Sequence, residues 1–521
     1  MSTIQYRQRC LENLLQNMED KVINEIYDLL QLCKDTGITI WAEKDKLKYR
    51  AEKDKIDNGL LIKLKEQKDN IIKYLKENDN KTVLDGFRLT PIQNAYLIGH
   101  SSDYELGNIN AHYYTEYSCD NIDEEKLQRS INEVIKNNEA LRTVIHPSGV
   151  QQVISDVPEF ELKAVRLDSE ATLSEIRKAW SHHRYQLGNW PMFHFQASKL
   201  DRGADILHFS FDCIILDAWS AQKMLFDIFK IYKGETVSWP SFTFREYLQQ
   251  EASYLKEDKS WAKAEEYWEE KLKIIPECPK LSFKKQLSLI EKPHFNRISY
   301  KFSLNETEKL YAKLKKYQFT PSALVCTVFM KVLAYFSSNK NLTVNLTLFN
   351  RLPLNREISK VLGDFTNIGL ASYFHNENIH FLEEVKMIQQ QFWKLIQYRN
   401  YDGTRLLKKL SANKLGKAVM PVVFTSMLQG KLEFDEASDF REVYAISQTP
   451  QVVLDHQARD DNGGLALSWD YVSDAFDYGE LKHMFEIYIE QIKGLIANDC
   501  WDTPVLIKEN CEHSMVGGMK K

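Results

Sequence analysis

The chain has 521 residues and a formal net charge of −5, from 68 Lys and Arg against 73 Asp and Glu. At about 100–200 residues per domain, this length indicates two to four structural units, and a hydrophobic content of 43% excludes wholesale disorder. The near-neutral charge excludes a strongly basic nucleic-acid-binding surface, and no uninterrupted apolar run is long enough for a transmembrane helix.

The N-terminal part of the chain is predicted to form an α-β-β-α unit. Apolar residues recur on one helical face over 22–33, and the alternating segments 38–41 and 47–49 predict a β-hairpin. Asp57 is suited to cap a second helix. The apolar face of that helix consists of Leu60, Leu61, Leu64, Ile71, Ile72 and Leu75. The polar stretch 77–82 predicts a linker to the rest of the chain.

From Phe87 onward, predicted strands alternate with long helices, which favours an α/β or α+β architecture. Residues 206–211 predict a strand and residues 218–232 predict a helix. Asp212 to Asp217 therefore form the turn between them, with an acidic residue at each end.

A second series of elements is predicted in the C-terminal half. Residues 322–336 are nearly all apolar and predict a buried helix that begins at Thr320-Pro321. Further strands are predicted at 343–349, 422–424, 451–457 and 465–471. The last two strands pair as a hairpin across residues 462–464, because the Asn-Gly-Gly sequence there is favoured in tight hairpin turns.

Eight cysteines are spread along the chain, at positions 10, 33, 119, 213, 278, 326, 500 and 511. None belongs to a C-x-x-C pair and no H-E-x-x-H motif is present, so we expect no zinc site. The first residues carry charges inside every apolar run and do not form a secretory signal peptide. We therefore expect free thiols and a cytoplasmic location.

The segment F-D-C-I-I-L-D-A-W-S at 211–220 places two carboxylates five positions apart. Residues with this separation do not share a helix face, so Asp212 is predicted at the strand end and Asp217 at the start of the helix. Asp217 is suited to cap that helix with its side chain. This structural interpretation is favoured, and direct catalysis is the alternative.

The segments 421–426 and 447–457 place further polar groups on predicted strands. Thr425 closes a short apolar strand, where its hydroxyl is suited to bond the loop backbone. One face of the next strand carries Gln451, Val453, Asp455 and Gln457. Burying a carboxylate in this Val-rich strand is costly unless the group is paired or used. Asp455 is therefore a candidate for a raised pKa and acid–base chemistry, with a buried ion pair as the equal alternative.

The pair His182-His183 is similar to the double histidine of acyl-transfer motifs. It lacks the acid that should follow five positions after the first histidine, so we do not expect it to be catalytic. Both residues are predicted to lie on a solvated helix. Gly-rich phosphate loops and G-x-S-x-G elbows are absent from the sequence.

Taken in order, these segments resemble the heterocyclisation domains of nonribosomal peptide synthetases, a branch of the condensation-domain superfamily. The D-x-x-x-x-D-x-x-S signature of that branch is met by Asp212, Asp217 and Ser220, in place of the H-H-x-x-x-D-G of ordinary condensation domains. The other matching motifs are F-R-L-T-P-I-Q-N-A-Y-L-I-G-H at 87–100, T-P-S-A-L at 320–324, L-F-N-R-L-P-L at 348–354, G-D-F-T-N at 363–367, P-V-V-F-T-S at 421–426 and S-Q-T-P-Q-V-V-L-D-H-Q at 447–457. The first 75 residues resemble small N-terminal docking domains of the tubulysin-synthetase type.

The resemblance implies an α/β (α+β) fold, a chloramphenicol-acetyltransferase-like pseudodimer of two lobes that meet at a cleft, with a small αββα domain in front. The predicted divisions are a docking domain at 1–76, a linker at 77–86, a first lobe at 87–265, a second lobe at 266–510 and a C-terminal tail at 511–521. No adenylation, carrier or oxidase signature follows the last motif, which predicts that the chain is one segment of a larger assembly line.

The resemblance also implies a reaction in two stages on carrier-bound substrates. The amine of a carrier-bound Cys, Ser or Thr attacks a donor thioester, and its side chain then closes onto the new amide with loss of water, giving a thiazoline or oxazoline. No cofactor is expected on the chain itself, because the 4′-phosphopantetheine arms belong to upstream and downstream peptidyl carrier proteins. The docking domain is expected to bind the upstream synthetase subunit, and neither nucleic acid nor membrane is an expected partner.

Loss of water requires a positioned group that delivers and removes protons. Within the resemblance, Asp455 is predicted to be that group, with Thr425 orienting it or the substrate and Gln457 holding a carbonyl or hydroxyl. Asp217 is predicted to pair with Arg351 and to hold the cleft together.

The remaining signature residues, Asp212 and Ser220, are predicted to be structural. One alternative is an ordinary amide-forming condensation domain, which the missing H-H-x-x-x-D-G disfavours. Another is a platform that only recruits carrier proteins, which the predicted polar residues Thr425, Asp455 and Gln457 disfavour.

Overall fold

A computed structural model describes residues 26, 29–30, 33, 38–43, 46–50, 58–77, 86–102, 104–167, 170–200, 203–257, 260–411, 419–428, 439–498 and 501. Within these ranges the strands are β1 Thr39–Glu43, β2 Lys46–Arg50, β3 Phe87–Arg88, β4 His112–Cys119, β5 Thr143–His146, β6 Val150–Val153, β7 Lys163–Leu167, β8 Phe193–Leu200, β9 Asp205–Asp212, β10 Phe295–Lys301, β11 Leu342–Phe349, β12 Thr366–Tyr373, β13 Val422–Met427, β14 Arg441–Gln448, β15 Leu454–Asp461 and β16 Gly464–Val472. The α-helices are α1 Asn58–Glu66, α2 Lys68–Glu77, α3 Pro91–Gly99, α4 Glu124–Asn137, α5 Glu170–Ser181, α6 Ala218–Lys233, α7 Phe244–Glu257, α8 Ser260–Leu272, α9 Leu304–Tyr317, α10 Pro321–Phe336, α11 Phe381–Gln397, α12 Gly403–Ser411 and α13 Tyr478–Ala497. Short 3-10 helices lie at Glu139–Arg142, Leu287–Leu289 and Ile358–Lys360.

The N-terminal unit has the predicted order of a helix, a hairpin and a helical segment. Strands β1 and β2 pair antiparallel, and the second helical segment is divided at Gln67 into α1 and α2. Backbone hydrogen bonds continue through Gln67, so this interruption is confined to one residue. The core consists of Ile26, Leu29, Leu30, Cys33, Ile38, Ile40, Leu60, Leu64, Ile71 and Leu75. The predicted cap Asp57, most of the first helix and most of the predicted linker lie outside the described residues.

The first lobe is built on a five-stranded sheet in the order β14-β4-β9-β8-β7. Strand β9 and helix α6 are the predicted strand and helix on either side of the Asp212–Asp217 turn. The helices α4 and α6 contribute apolar residues to the core beneath this sheet, which also contains Phe193, Phe195, Phe209 and Phe211. α6 ends at Gly234 with φ of +90°, a left-handed conformation that favours glycine.

The second lobe is built on a six-stranded sheet in the order β10-β16-β15-β13-β11-β12. The predicted apolar helix is α10, most of whose side chains are buried in the core beside α13. Thr320 caps α10 by accepting a hydrogen bond from the Ala323 amide, and Pro321 occupies the first turn as predicted. Strand β13 pairs parallel with both β11 and β15, so the late strands of the chain lie side by side at the sheet centre.

The predicted late hairpin is formed by β15 and β16. Asn462 and Gly463 have φ of +49° and +78°, and two successive residues with positive φ suit the tight turn that joins twisted strands. The prediction that the first strand begins at residue 451 is wrong, because Gln451 has φ of +63° and the strand begins at Leu454.

Strand β14 joins the two lobes. It follows β13 in the chain but adds to the edge of the first-lobe sheet, where Ser447 pairs with Tyr113 and Gln448 pairs with His112. It also contacts β10 and β16 of the second-lobe sheet. One strand of the first sheet is therefore supplied by the part of the chain that was predicted to be the second lobe.

None of the helices in the described part of the chain is by itself long and apolar enough to cross a membrane. The consecutive helices α9 and α10 satisfy the length and composition criteria only when taken together, and they are bent by 99°. The thiols of Cys119, Cys213 and Cys326 are free, as predicted.

Candidate active site

Asp217 occupies the turn that connects β9 to α6. Its carboxylate accepts a hydrogen bond from the Ser220 amide at 2.7 Å, which confirms the predicted helix cap. Arg351 donates to both carboxylate oxygens, at 2.8 and 3.0 Å, which confirms the predicted ion pair between the lobes. The Phe365 amide donates a further bond at 3.2 Å. Both carboxylate oxygens of Asp217 are therefore hydrogen-bonded within the protein.

Ser220 belongs to the same junction. Its hydroxyl donates to the Gly363 carbonyl at 2.7 Å and accepts from Arg351 Nη2 at 2.7 Å. Gly363 packs so closely on the Phe244 ring that an added Cβ would lie 2.5 Å from it, so only glycine fits. This arrangement attaches the start of α6 to the segment before β12.

Asp212 lies at the end of β9, as predicted, and is fully buried. It accepts hydrogen bonds from the Ile214 amide at 3.0 Å and from the Asn110 side chain. Burial raises its pKa to about 7. His100 is 4.0 Å away, but burial and then Arg184 lower the pKa of this imidazole to about 4, so it is not a cationic partner near neutral pH.

Asp455, Thr425 and Gln457 meet on one face of the second-lobe sheet. The parallel pairing of β13 with β15 sets Thr425 beside Gln457, and side chains two positions apart on a strand share a face. Thr425 Oγ1 lies 3.3 Å from Asp455 Oδ1, and Gln457 Nε2 donates to Asp455 Oδ2 at 3.1 Å. Ser447 Oγ of β14 lies 3.5 Å from the same Oδ2. The sequence-predicted trio is thus brought together.

The electrostatic surroundings of Asp455 differ from those of Asp217. Burial, followed by the negative charge of Asp470, raises the pKa of Asp455 to about 7, against the opposing effects of Gln457, Arg297 and Thr425. Three of its hydrogen-bonding neighbours are uncharged side chains. A carboxyl group with such a pKa is present in both protonation states near neutral pH, which suits a group that gives and takes a proton.

Arg297 and Asp470 form an ion pair beside this trio, because Asp470 pairs in register with Asp455 and Arg297 with Asp470. Arg297 donates to the two carboxylate oxygens of Asp470 at 2.7 and 2.6 Å, and its Nη2 also donates to Gln457 Oε1 at 3.0 Å. The carbonyl end of Gln457 is therefore occupied, and its amino group must point towards Asp455. Of the two N–H groups on Gln457 Nε2, one donates to Asp455 Oδ2, and the other has no hydrogen-bond partner among the described residues.

β11 supplies two further polar residues that the sequence analysis did not single out. Thr347 Oγ1 lies 2.8 Å from Thr425 Oγ1. Asn345 pairs in register with Val423, which itself pairs with Asp455, so its side chain lies on the same face as the trio. Asn345 Nδ2 donates to the Met420 carbonyl at 3.4 Å, and its buried Oδ1 has no hydrogen-bond partner among the described residues. The signal was the alternation of Thr343, Asn345 and Thr347 with apolar residues, which places these polar side chains on one face of β11.

Acidic residues from both predicted lobes affect the pKa values of Tyr96 and Cys213. Burial is the largest cause of the raised pKa values of Tyr96 and Cys213, and the charges of Asp364, Asp455 and Asp217 raise both further. Burial raises the pKa of Asp364 itself to about 8.

The prediction for His182 and His183 is wrong in its placement. α5 ends at Ser181, so both histidines follow the helix and are half-buried. The His182 ring stacks on His294 with centroids 3.9 Å apart, and its Nε2 lies 2.9 Å from the Phe295 carbonyl oxygen. The helical pattern extended past residue 181 because a sequence pattern cannot show contacts with β10.

Within the described ranges, no group of three or more His, Cys, Asp and Glu side chains has an arrangement suited to a metal ion. The polar groups of the site are the carboxyl of Asp455, the hydroxyls of Thr425 and Thr347, and the amides of Gln457 and Asn345. Such a set can hydrogen-bond an amide or hydroxyl and exchange protons with it.

Residues 84–501 match the condensation domain family, and residues 26–77 match the TubC N-terminal docking domain family. The chain therefore belongs to the condensation-domain family and carries a TubC-type docking domain at its N-terminal side. The fold and the motif order described above agree with this assignment.

Curated relatives include three synthetases. Bacitracin synthase 1 of Bacillus licheniformis is 27% identical over 436 residues, 81% of this chain and 8% of the relative. Pyochelin synthetase PchF of Pseudomonas aeruginosa is 27% identical over 485 residues, 90% of this chain and 27% of the relative. Phenyloxazoline synthase MbtB of Mycobacterium sp. strain MCS is 28% identical over 424 residues, 80% of this chain and 36% of the relative. The chain thus spans about a third or less of the length of each.

Among solved structures, the EpoB NRPS cyclization-docking bidomain from Sorangium cellulosum is similar with a TM-score of 0.73 and 25% identity. The similarity covers 91% of this chain and 99% of that one. The condensation domain of the monacolin K polyketide synthase MokA has a TM-score of 0.66 at 13% identity, over 80% of this chain and 98% of that one. The latter similarity shows the fold alone, the two-lobed chloramphenicol-acetyltransferase-like architecture.

Proposed function

We propose that this chain is a heterocyclisation domain that forms an amide between two carrier-bound substrates and then closes it to a thiazoline or oxazoline. The observation that carries the proposal is the buried Asp455 carboxyl, with a pKa of about 7, held by Thr425 and Gln457. The likeness to a structure described as a cyclization-docking bidomain, and to a relative named phenyloxazoline synthase, supports it.

In the first stage, the amine of a carrier-bound Cys, Ser or Thr attacks the donor thioester carbonyl. The carbon–sulfur bond breaks, the donor thiol leaves with a proton, and an amide is formed. A thiolate is a good leaving group, so alignment of the two arms supplies much of the rate. This stage does not require Asp455.

In the second stage, the side-chain thiol or hydroxyl adds to the new amide carbonyl and gives a hydroxylated ring. Asp455 then donates its proton to the departing hydroxyl, which leaves as water. The resulting carboxylate accepts the proton from the ring nitrogen as the carbon–nitrogen double bond forms, so Asp455 returns to its starting state. General acid–base help of this kind contributes about 10²–10⁴-fold in rate.

The hydrogen bonds around Asp455 indicate which of its oxygens carries the proton. Oδ2 accepts from Gln457 Nε2 and faces the Ser447 hydroxyl, so it acts as an acceptor. Among the described residues, the hydrogen-bonding neighbour of Oδ1 is Thr425 Oγ1, which also lies beside the Thr347 hydroxyl. Because a hydroxyl rotates to donate or accept, the Thr425 side chain suits both protonation states of Oδ1.

The proposal extends to the partners of the domain. The substrates are carried on 4′-phosphopantetheine arms of an upstream and a downstream peptidyl carrier protein, which supply the cofactor. The docking domain recognises the upstream subunit. Strand β2 is suited to this because, within the described residues, it is an edge of a two-stranded sheet and has the exposed residues Lys46, Lys48, Tyr49 and Arg50. An extended acidic tail adding a strand there would gain both backbone hydrogen bonds and charge pairing.

Two other functions make different predictions. An ordinary condensation domain would release the linear amide without loss of water. A recruitment platform would bind carriers and form no product. The placement of Asp455, Thr425 and Gln457 around one point favours the heterocyclising domain over both.

The proposal is tested by reconstitution with loaded donor and acceptor carriers, followed by intact-mass measurement of the acceptor carrier. For Asp455→Ala we expect amide formation near the wild-type rate and ring closure slowed by about a hundredfold or more. Asp461→Ala is the matched control, because Asp461 lies at the far end of the same strand in an ion pair with Lys301. Wild-type loss of one water by Asp455→Ala would disprove the assignment.

A further inference from the structure

Strand β14 places Ser447 between the two carboxyl groups at the centre of the site. We propose that Ser447 is a positioning residue for Asp455, through which the first-lobe sheet takes part in ring closure in the second lobe. The inference rests on the proposed function and concerns a residue outside the trio of Asp455, Thr425 and Gln457.

The first support is the pair of contacts that Ser447 makes. Its backbone amide donates to Asp470 Oδ2 at 3.1 Å, and its hydroxyl lies 3.5 Å from Asp455 Oδ2. Asp470 is held by the bidentate bonds of Arg297, so its position is fixed. Ser447 is itself buried, with 8% of its surface exposed, and its hydroxyl therefore has little choice of partner.

The second support is the anchoring of β14. Ser447 pairs with Tyr113 of β4, and the neighbouring Gln448 side chain donates to the Asn110 carbonyl at 3.1 Å. Nearer its start, Glu442 forms an ion pair with Arg459 of β15. The strand is thus attached to the first-lobe sheet along its length and to the strand of Asp455 at two points.

These contacts have a consequence for catalysis. Asp455 Oδ2 faces one donor from its own strand, Gln457, and one from the other sheet, Ser447. Hydrogen bonds at catalytic groups are often long without substrate and shorten in the reacting complex. Because Gln457 and Ser447 both face Oδ2, Oδ1 is the oxygen that exchanges the proton. Asp455 acts in ring closure and not in amide formation, so loss of the Ser447 hydroxyl should affect ring closure alone.

The test compares Ser447→Ala and Ser447→Thr in the full chain, with loaded carriers and separate measurement of linear amide and ring. For Ser447→Ala we expect ring closure slowed by about tenfold, the effect of one lost hydrogen bond to a charged group, with amide formation unchanged. Ser447→Thr retains the hydroxyl and restores the ratio of ring to amide. Because a lost donor raises the pKa of the Asp455 carboxyl, the pH at which ring closure declines should move upward in Ser447→Ala.

Ser372→Ala is the matched control. Ser372 is also a buried strand serine and lies in the six-stranded sheet that carries Asp455, but its hydroxyl bonds Thr343 at 2.9 Å and not the site. A role in folding alone would lower the melting temperature of Ser447→Ala and reduce both products equally, and that outcome overturns the inference. An unchanged ratio of ring to amide in Ser447→Ala overturns it as well.

Asp455→Ala, measured in parallel, separates this inference from the proposed function. If Asp455→Ala still closes the ring, the proposed function itself fails. If Asp455→Ala blocks ring closure and Ser447→Ala does not slow it, only the inference about Ser447 fails.

Discussion

Asp217 and Asp455 are both buried aspartates that contact a residue of the other lobe's sheet or of the segments beside it, yet their hydrogen-bonding partners differ. Asp217 receives a bidentate pair of hydrogen bonds from Arg351, one from the Ser220 amide of the helix it caps and one from the Phe365 amide. Asp455 receives bonds from the neutral side chains of Thr425 and Gln457. The guanidinium of Arg351 forms a buried ion pair with Asp217, whereas the partners of Asp455 are neutral donors and burial raises the pKa of its carboxyl to about 7.

Burial alone therefore does not identify an acid–base group. Both residues are acidic, nearly inaccessible and part of a recognisable motif. The identity of the partner separates a structural ion pair from a group that is poised for proton transfer. Substitutions at the two positions should therefore fail in different ways.

The largest expected effect is that of Asp217→Asn on folding. Removing one member of a buried ion pair leaves the guanidinium of Arg351 uncompensated, which lowers the free energy of unfolding by about 3–5 kcal/mol. Chemical denaturation followed by fluorescence measures this loss. The double variant Asp217→Asn with Arg351→Met is the control and should recover part of the stability.

A different result for Asp217→Asn would contradict the structural role assigned to Asp217. If its melting curve is unchanged and amide formation is abolished, Asp217 takes part in the chemistry and is not a structural partner of Arg351. Both aspartates would then be catalytic, Asp217 in amide formation and Asp455 in ring closure.

A smaller effect is expected from Thr425→Val, which removes the hydroxyl beside Asp455 Oδ1 and keeps the shape of the side chain. We expect ring closure to slow by about tenfold with amide formation and folding stability retained. Thr343→Val, a buried threonine elsewhere in the same sheet, is the matched control. Equal loss of amide and ring in Thr425→Val would show that Thr425 positions substrate for both stages.

The smallest effect is the dependence of stability on pH. The pKa of Asp455 is raised from 3.8 to about 7 by burial, so between these values the folded chain holds a proton that the unfolded chain has lost. The free energy of unfolding therefore falls as the pH rises through this window and levels off above it. Asp455→Asn removes this contribution, so its stability should fall less steeply from pH 5 to pH 7 than that of the wild type.

Urea denaturation at several pH values measures these slopes. Asp212 and Asp364, whose pKa values burial raises to about 7 and about 8, contribute in the same direction and remain in the variant. A residual slope is therefore expected in Asp455→Asn. Identical slopes for the variant and the wild type would mean that Asp455 is ionised throughout the window.

Much of the fold follows from local patterns. The turn between β9 and α6, the cap at Asp217, the apolar helix α10 and the hairpin between β15 and β16 were all predicted from periodicity, capping and turn residues. These features depend on side chains within a few positions of one another. The start of β15 and the placement of His182 were wrong, because both are set by contacts with distant segments.

The candidate site divides in the same way. Asp455, Thr425 and Gln457 stand out as polar residues on apolar strands and are brought together by the parallel pairing of β13 with β15. Ser447 and Arg297 carried no such signal, because Ser447 lies on β14 in the other sheet and Arg297 lies far away along the chain on β10.

Local patterns were enough to predict several helices and strands, the family motifs and the presence of acidic residues on late strands, because these depend on neighbouring residues. Tertiary contacts selected between the two possibilities left open for Asp455: its carboxyl lies among the neutral donors Thr425 and Gln457, and it is Asp470 that pairs with Arg297. That choice depends on strand register and on the crossing of β14 between sheets, and these are settled by packing among segments that are remote in the chain.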